Sequence, residues 1–306
     1  MEQVLHITVL GAGLMGHGIA QVFAEFGHSV VISDPDRDAL ANVHQRIEAN
    51  LHNIGRATEP VLANITVADQ MSAAVKFADV VIEAAPEKLA LKRKLFSEAA
   101  ASAPSHAILA SNTSVIPITQ IGEDLPPAAR ARLVGTHWWN PPYLVPLVEV
   151  IRTEYTDLSV FERMFELLCR VGKRPVKVQR DVTGFIGNRL QYALWREAFH
   201  LIESGVCDAE TVDVVVKNGF GMRFPVLGPM ENADLIGLEL ARDIYGIVVP
   251  ELSCAKPPSR LLSERIEDGR LGMKSGEGLR SWTSEESAEV RRRLSQHLLK
   301  MAASVD

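Results

Sequence analysis

The run GTHWWNPPYLVPLVEVI, residues 135–151, holds one imidazole and one carboxylate, His137 and Glu149, in a stretch that is otherwise almost wholly apolar. Burying either group alone is costly or forces it into its neutral form. Buried as a pair they make a chemical device. The carboxylate accepts an imidazole N–H, fixes the tautomer and stabilises the imidazolium, which leaves the other ring nitrogen as a base. If LVGTHWW and PLVEVI are antiparallel neighbours around NPPYLV, a turn centred on Tyr143 lies six residues from each group and their side chains face one another. The bland alternative is a satisfied core histidine beside a structural glutamate. Trp138 and Trp139 read either as a substrate wall or as packing.

A second constellation lies near the start of the chain. VLHITVL, rich in β-branched residues, runs into Gly11-Ala12-Gly13-Leu14-Met15-Gly16, and IAQVFAEF then repeats apolar residues at helical spacing. The first glycine of such a turn permits a tight bend, the second lets a pyrophosphate approach the backbone, and the third allows close helix–strand packing. The next strand, SVVISD, ends at Asp34, 23 residues after Gly11, where an acidic group holds the adenosine ribose hydroxyls. A carboxylate there favours NAD over NADP, although Arg37 nearby leaves the second open. Beside a nicotinamide, the His137 base would take the hydroxyl proton of an alcohol as its hydride leaves.

These residues need a frame. Strand DVVIEAA, helix LALKRKLFSEAAASA, strands AILASNT, LVGTHWW and PLVEVI, helix VFERMFELLCRV and strand RPVKVQ follow in turn. Such alternation predicts a doubly wound α/β sheet of Rossmann type, with ligands at the carboxyl ends of the strands, near Glu87, Ser114 and His137. The strand-end polar residues Asn112, Thr113 and Ser114 read as ligand donors or as structural groups. From Asp181 onward the strand signals nearly vanish. GFIGNRLQYALWREAFHLIESG, CDAETVDVVVKNGFG and TSEESAEVRRRLSQHLLKMAA predict an all-α C-terminal domain, the β-prone TVDVVVKN being its weakest helix. The division falls near RDVTGF, giving a nucleotide-binding domain over 1–183 and a helical substrate or dimerisation domain over 184–306.

Composition excludes several classes. At 306 residues and 47% hydrophobic content the chain has ample material for a packed core. A formal charge of −6 with scattered cations offers no field for nucleic acid or an anionic membrane. Cys169, Cys207 and Cys254 have neither disulfide-like nor metal-like spacing and read as buried or inert thiols of a reducing compartment. The N-terminal apolar run is one strand long and lacks a basic leader, so a cytoplasmic protein without a membrane span is expected.

Taken in order, GAGLMG, SNTS, the H-x-x-N-P of His137 to Pro141, LVEVI, GFIGNRL and GMKSGEG resemble the L-3-hydroxyacyl-CoA dehydrogenase family over nearly the whole chain. The resemblance implies that His137 is the general base and Glu149 its orienter. It also implies that Ser114 and Asn188 hydrogen-bond the substrate oxygen, and that Glu87, Lys92, Asn112, Asn140 and Lys274 serve the NAD region. On the residues alone, Glu87 and Lys92 equally describe a solvated pair at a helix start. A homodimer formed through the helical half is a further implication.

Members acting on CoA esters carry a lysine-rich helical extension after the second strand. Here that segment, ALANVHQRIEANLHNIGRATEPVLANITVADQ, holds only Arg46 and Arg56 as fixed cations, a poor handle for a polyphosphate. NPPYLVPLVEVI, NRLQYALWREAFHLIESG and GFGMRFPVLGPMENADLIGLEL instead resemble the branch of lambda-crystallin and L-gulonate 3-dehydrogenase. They also resemble a pyridine-carboxylate dehydrogenase of vitamin B6 breakdown. The expected substrate is therefore a small free hydroxy acid or related alcohol. Arg189 and Arg223 are candidate carboxylate partners or ordinary surface charges. Two alternatives stand beside this: a short-chain 3-hydroxyacyl-CoA dehydrogenase, and a non-catalytic crystallin-like binding or structural protein. The second expects loss of a catalytic position, yet Ser114, His137, Glu149 and Asn188 are all present. Dehydrogenases that use a catalytic lysine share the cradle but lack the His/Glu pair.

Overall fold

A computed structural model describes residues 3–303 of the chain. Eight short runs rich in Val, Ile and Leu form one sheet: β1 (His6–Leu10), β2 (Ser29–Ser33), β3 (Ile65–Ala68), β4 (Val80–Glu83), β5 (Ile108–Ser111), β6 (Leu133–Trp138), β7 (Leu147–Ile151) and β8 (Arg174–Val178). Their order is β3-β2-β1-β4-β5-β6-β7-β8. The first six run parallel, β7 is antiparallel to β6, and β8 is parallel to β7.

The central strands are apolar on both faces because helices cover both. Ile19 and Phe23 of the helix Leu14–Glu25, Ile47 and Leu51 of Val43–Asn53, and Met164 and Leu168 of Leu158–Arg170 pack one face. Phe96 and Ala99 of Leu89–Ser102 pack the other, with Ile118, Ile121 and Ala129. Helices on both faces of a mostly parallel sheet are the doubly wound arrangement expected, with a helical C-terminal part after it. The strand β3 was not anticipated. It is a four-residue edge strand within the stretch read as a helical extension, and only Ile65 of it is buried.

The chain divides into two compact units, one up to Arg189 with the last residues from Gln296, the other Leu190–Ser295. In the second unit Asp208 caps the helix Ala209–Asn218 by accepting from the Thr211 amide at 2.8 Å, which holds the Val-rich stretch helical against its β propensity. Thr283 and Glu286 exchange hydrogen bonds in a capping box that starts the helix Ser284–Ala303. The helices Gly187–Glu203, Ala209–Asn218, Pro229–Ile236 and Leu238–Val248 contain no buried residue. Leu235, Tyr245 and Ile247 are 72%, 66% and 75% exposed. Of the expected buried or inert thiols, burial does not hold for Cys169 and Cys254, which are exposed; Cys207 is half-buried, and all three are free. Cys169 lies on the solvent side of an amphipathic helix, where the spacing of its neighbours and not its own type sets burial.

No helix among the described residues is long and apolar enough to cross a membrane. No cluster of three His, Cys, Asp or Glu side chains among them is placed to hold a metal ion.

Candidate active site

The glycine turn after β1 is shaped by backbone contacts. Gly11 has φ +113°, and a Cβ there would stand 2.7 Å from the Ala84 carbonyl oxygen. A Cβ at Gly16 would fall 1.8 Å from the Gly11 oxygen, so the helix lies directly on the turn. Gly13 differs: a Cβ would meet nothing within 4 Å. Open space beside a twelve-residue helix whose N-terminus no side chain caps fits a diphosphate, since free amides and the helix dipole both favour an anion. Leu14 is exposed at this mouth while Met15 packs against the core. At the end of β2, Asp34 accepts the Ala12 amide at 2.7 Å and the Asp36 amide at 2.8 Å, which fixes its carboxylate beside the turn. Arg37 lies 3.9 Å from Asp69 in an exposed pair.

The ends of β4 and β5 are joined by buried charge. Glu83, fully buried, accepts from Lys92 Nζ at 2.7 Å, the Ala85 amide at 2.7 Å and Ser111 Oγ at 2.6 Å. Lys92 is 1% exposed and also reaches Ala85 O and, at 3.3 Å, Glu87. That burial rules out the solvated-pair reading of Glu87 and Lys92. Glu87 in turn accepts from Thr113 Oγ1 and from the amides of Ser114 and Val115 at 3.0 and 3.1 Å. Burial pushes the Glu87 carboxyl up, but the Thr113 hydrogen bond and the Lys92 charge outweigh it and hold it below the usual carboxylate range. Glu83, absent from the expected site residues, carries the same sequence signal as His137 and Glu149: an ionisable residue in an apolar strand run.

His137 and Glu149 are directly opposed in the β6–β7 ladder, the register assumed from the turn. The imidazole Nδ1 lies 2.7 Å from Glu149 Oε2, and the two residues are 4% and 1% exposed. Glu149 Oε1 accepts the amides of Ile186 and Gly187 at 2.8 and 3.0 Å, where the helix Gly187–Glu203 begins. Gly184 (φ +74°) and Phe185 (φ +50°) turn the chain so that these amides converge on the carboxylate. The left-handed conformation of Phe185 is unfavourable for a non-glycine residue, and its 1%-exposed ring offsets the strain. Burial raises the Glu149 carboxyl, and the His137 and backbone hydrogen bonds together bring it below its ordinary value. The carboxylate is thus kept ionised, and the imidazole that donates to it keeps its hydrogen on Nδ1, leaving Nε2 as the basic nitrogen.

Around the pair, the Trp139 and Phe185 rings stand 5.2 and 5.7 Å from the imidazole. Trp138 is a packing residue, 2% exposed and edge-on to Phe23, whereas half-buried Trp139 flanks the base. Asn188 Nδ2 donates to Ser114 O at 2.7 Å, so these two residues meet. Asn112 Oδ1 accepts the Trp138 amide at 3.0 Å and ties the end of β5 to β6. Asn140 is exposed just past β6, and exposed Arg189 reaches Thr183 O at 3.4 Å. Arg223, 3.4 Å from Asn232 Oδ1, and exposed Lys274 both belong to the second unit.

Residues 6–182 match the model of the 3-hydroxyacyl-CoA dehydrogenase NAD-binding domain, and residues 184–282 match that of the C-terminal domain. The chain belongs to the 3-hydroxyacyl-CoA dehydrogenase family. It is an NAD-dependent dehydrogenase by that membership. The 5-formyl-3-hydroxy-2-methylpyridine 4-carboxylate 5-dehydrogenase of Mesorhizobium japonicum is 33% identical over 93% of both chains. Human mitochondrial hydroxyacyl-coenzyme A dehydrogenase is 36% identical over 90% of both. Identity hardly separates these two relatives. A crystal structure of the pyridine-carboxylate enzyme, described as an NAD+ dependent dismutase, superposes with TM-score 0.90 at 32% identity over 97% of each chain. The (S)-3-hydroxybutyryl-CoA dehydrogenase of Ralstonia eutropha gives 0.76 at 31% identity, covering 92% of this chain and all of its own.

Proposed function

We propose that this family member oxidises or reduces a small, free hydroxy acid or related alcohol, with His137 as general base and Glu149 as its orienter. One observation carries the reading. The buried imidazole is fixed at Nδ1 by a carboxylate whose second oxygen is itself held by two backbone amides, so Nε2 is the atom free to exchange a proton with a substrate hydroxyl. Ser114 and Asn188, joined to each other, are assigned to the substrate oxygen, where donors aimed at developing charge favour the alkoxide-like transition state.

Gly11, Ala12, Gly13, Leu14, Met15, Gly16 and Asp34 hold the cofactor, together with Asn112, Asn140 and Lys274. Bound in this cradle, NAD supplies the hydride acceptor. Glu87 and Lys92 serve the same region by fixing the backbone of 113–115. Arg189 and Arg223 are the candidates for a substrate carboxylate. The domain over 1–183 binds the cofactor, and that over 184–306 supplies substrate contacts and a homodimer interface. Unpaired thiols are in keeping with a cytoplasmic site of action.

Two observations favour a substrate without CoA. Arg46, one of two arginines in the extension after β2, donates to Ala12 O and Ala39 O at 3.0 and 2.8 Å, and the other, Arg56, lies 3.9 Å from Glu25. Arg46 is thus engaged by the protein, which leaves exposed Arg56 as the one open cation of the extension, little for a polyphosphate. The closer superposition on the pyridine-carboxylate enzyme points the same way. The test is NADH formation by absorbance on L-3-hydroxybutyryl-CoA against L-gulonate, carnitine and hydroxymethyl pyridine carboxylates, repeated with His137→Ala. Turnover of a free acid and not of the CoA ester, abolished by the substitution, is expected; efficient turnover of the ester would restore the CoA reading.

A further inference from the structure

Lys173, between the helix Leu158–Arg170 and β8, is a buried lysine that the chemistry above does not use. It is 9% exposed, and no carboxylate among the described residues forms an ion pair with it. Its ammonium donates instead to the carbonyl oxygens of Pro142 and, at 3.2 Å, Val145, and stands 5.5 Å over the Trp138 ring. Both carbonyls belong to the loop 139–146, which joins the strand carrying His137 to the strand carrying Glu149. The same loop rests on the cofactor helix: a Cβ at Gly18 would meet Pro142 Cγ at 2.9 Å. Burial holds the Lys173 ammonium down at about 8, the Glu25 charge acting in the opposite sense. An ammonium kept in so unfavourable a place needs a return, and its contacts show where that return lies.

We propose that Lys173 is a positioning residue for the His137–Glu149 pair, clamping the loop between their strands through Pro142 O and Val145 O. Three features act together. The hydrogen bonds set the spacing of the loop, the charge sits on the face of the tryptophan adjoining His137, and the packing on Gly18 ties the loop to the helix that begins the cradle. The inference rests on His137 being the base, and its test is arranged to separate the two claims.

Lys173→Met keeps the length of the side chain but removes its charge and donors. Lys173→Gln keeps donors enough for one carbonyl. Misplacement of a base by a fraction of an ångström to an ångström predicts a kcat loss of about 10-fold to 100-fold in the Met variant and a smaller loss in the Gln variant. The KM for NAD should stay within about twofold, because the cradle is intact. The proton between His137 Nδ1 and Glu149 should give a low-field NMR signal in the protein without substrate, and that signal should broaden or vanish in Lys173→Met. A folded Lys173→Met protein with wild-type kcat and an unchanged signal would overturn the proposal, as would a loss confined to thermal stability. If the Met variant does not fold, the same two readouts on Lys173→Gln decide. If His137→Ala proves active, the catalytic assignment of His137 falls, while the proton signal still reports whether Lys173 sets the geometry of the pair.

Discussion

The working unit at residue scale is a set of side chains whose polar atoms are answered by backbone. Glu149 shows the consequence for pH. Its folded pKa is depressed, so its contribution to stability is full above the unfolded carboxylate value of 4.5 and is lost as the pH falls through the folded value. Glu149→Gln should therefore be less stable than the wild type near neutrality, and the gap should close below about pH 4.5, as read from urea midpoints at several pH values. The same change should lower kcat by about 100-fold or more, since the neutral amide stabilises the imidazolium poorly and the tautomer is no longer fixed. The pair was legible in the sequence because a turn centre and a strand period suffice to put positions 137 and 149 opposite one another. Lys173 was not legible: its partners are carbonyls 31 and 28 residues away, and a backbone oxygen leaves no mark on residue type. Glu83 was missed because its partners lie on three separate segments.

Elements carry the next level of meaning, and the glycine turn separates two kinds of constraint. Gly16→Ala would push a methyl against backbone that cannot yield, so both thermal stability and NADH binding should fall. Gly13→Ala meets no protein atom within 4 Å, so the variant should keep its melting temperature and still lose at least about 10-fold in NADH affinity by fluorescence titration. An unimpaired Gly13→Ala protein would remove the diphosphate from that position. Six of the strands were legible as largely apolar runs bounded by turn residues, and β8, RPVKV, by its alternating valines. β3 was not, for it is short, lies at the edge and buries a single residue. The helix Ala209–Asn218 is helical despite its valines because a side-chain cap at Asp208 and the flanking acidic and basic ends agree with the helix dipole.

For the molecule as a whole, the helical half is the conspicuous imbalance. Four of its helices bury none of their residues, while Leu235, Tyr245 and Ile247 stand mostly in solvent. Apolar surface on this scale is what the homodimer proposed above would cover. A second copy is the expected cover, so light scattering should give twice the 33.6 kDa chain mass, and the melting temperature should rise with protein concentration. A monodisperse monomer with a concentration-independent transition would exclude it. This level was only partly legible, because amphipathic spacing reveals that a helix has an apolar face and says nothing of what that face meets.

The amides that hold Glu149 bear on how such enzymes can be recombined. The family models meet between residues 182 and 184, a natural place to splice one member's cofactor half to another's helical half. A crossover there would import a foreign Phe185-Ile186-Gly187-Asn188 segment, and with it the two donors of Glu149 and the amide that reaches Ser114. Moving the crossover past Arg189, where the compact units divide, keeps His137, Glu149 and the amides that hold Glu149 from one parent and exchanges only what lies beyond. Chimeras built at the two seams would thus share one parent's His137 and Glu149 and differ in which parent supplies the groups that hold them.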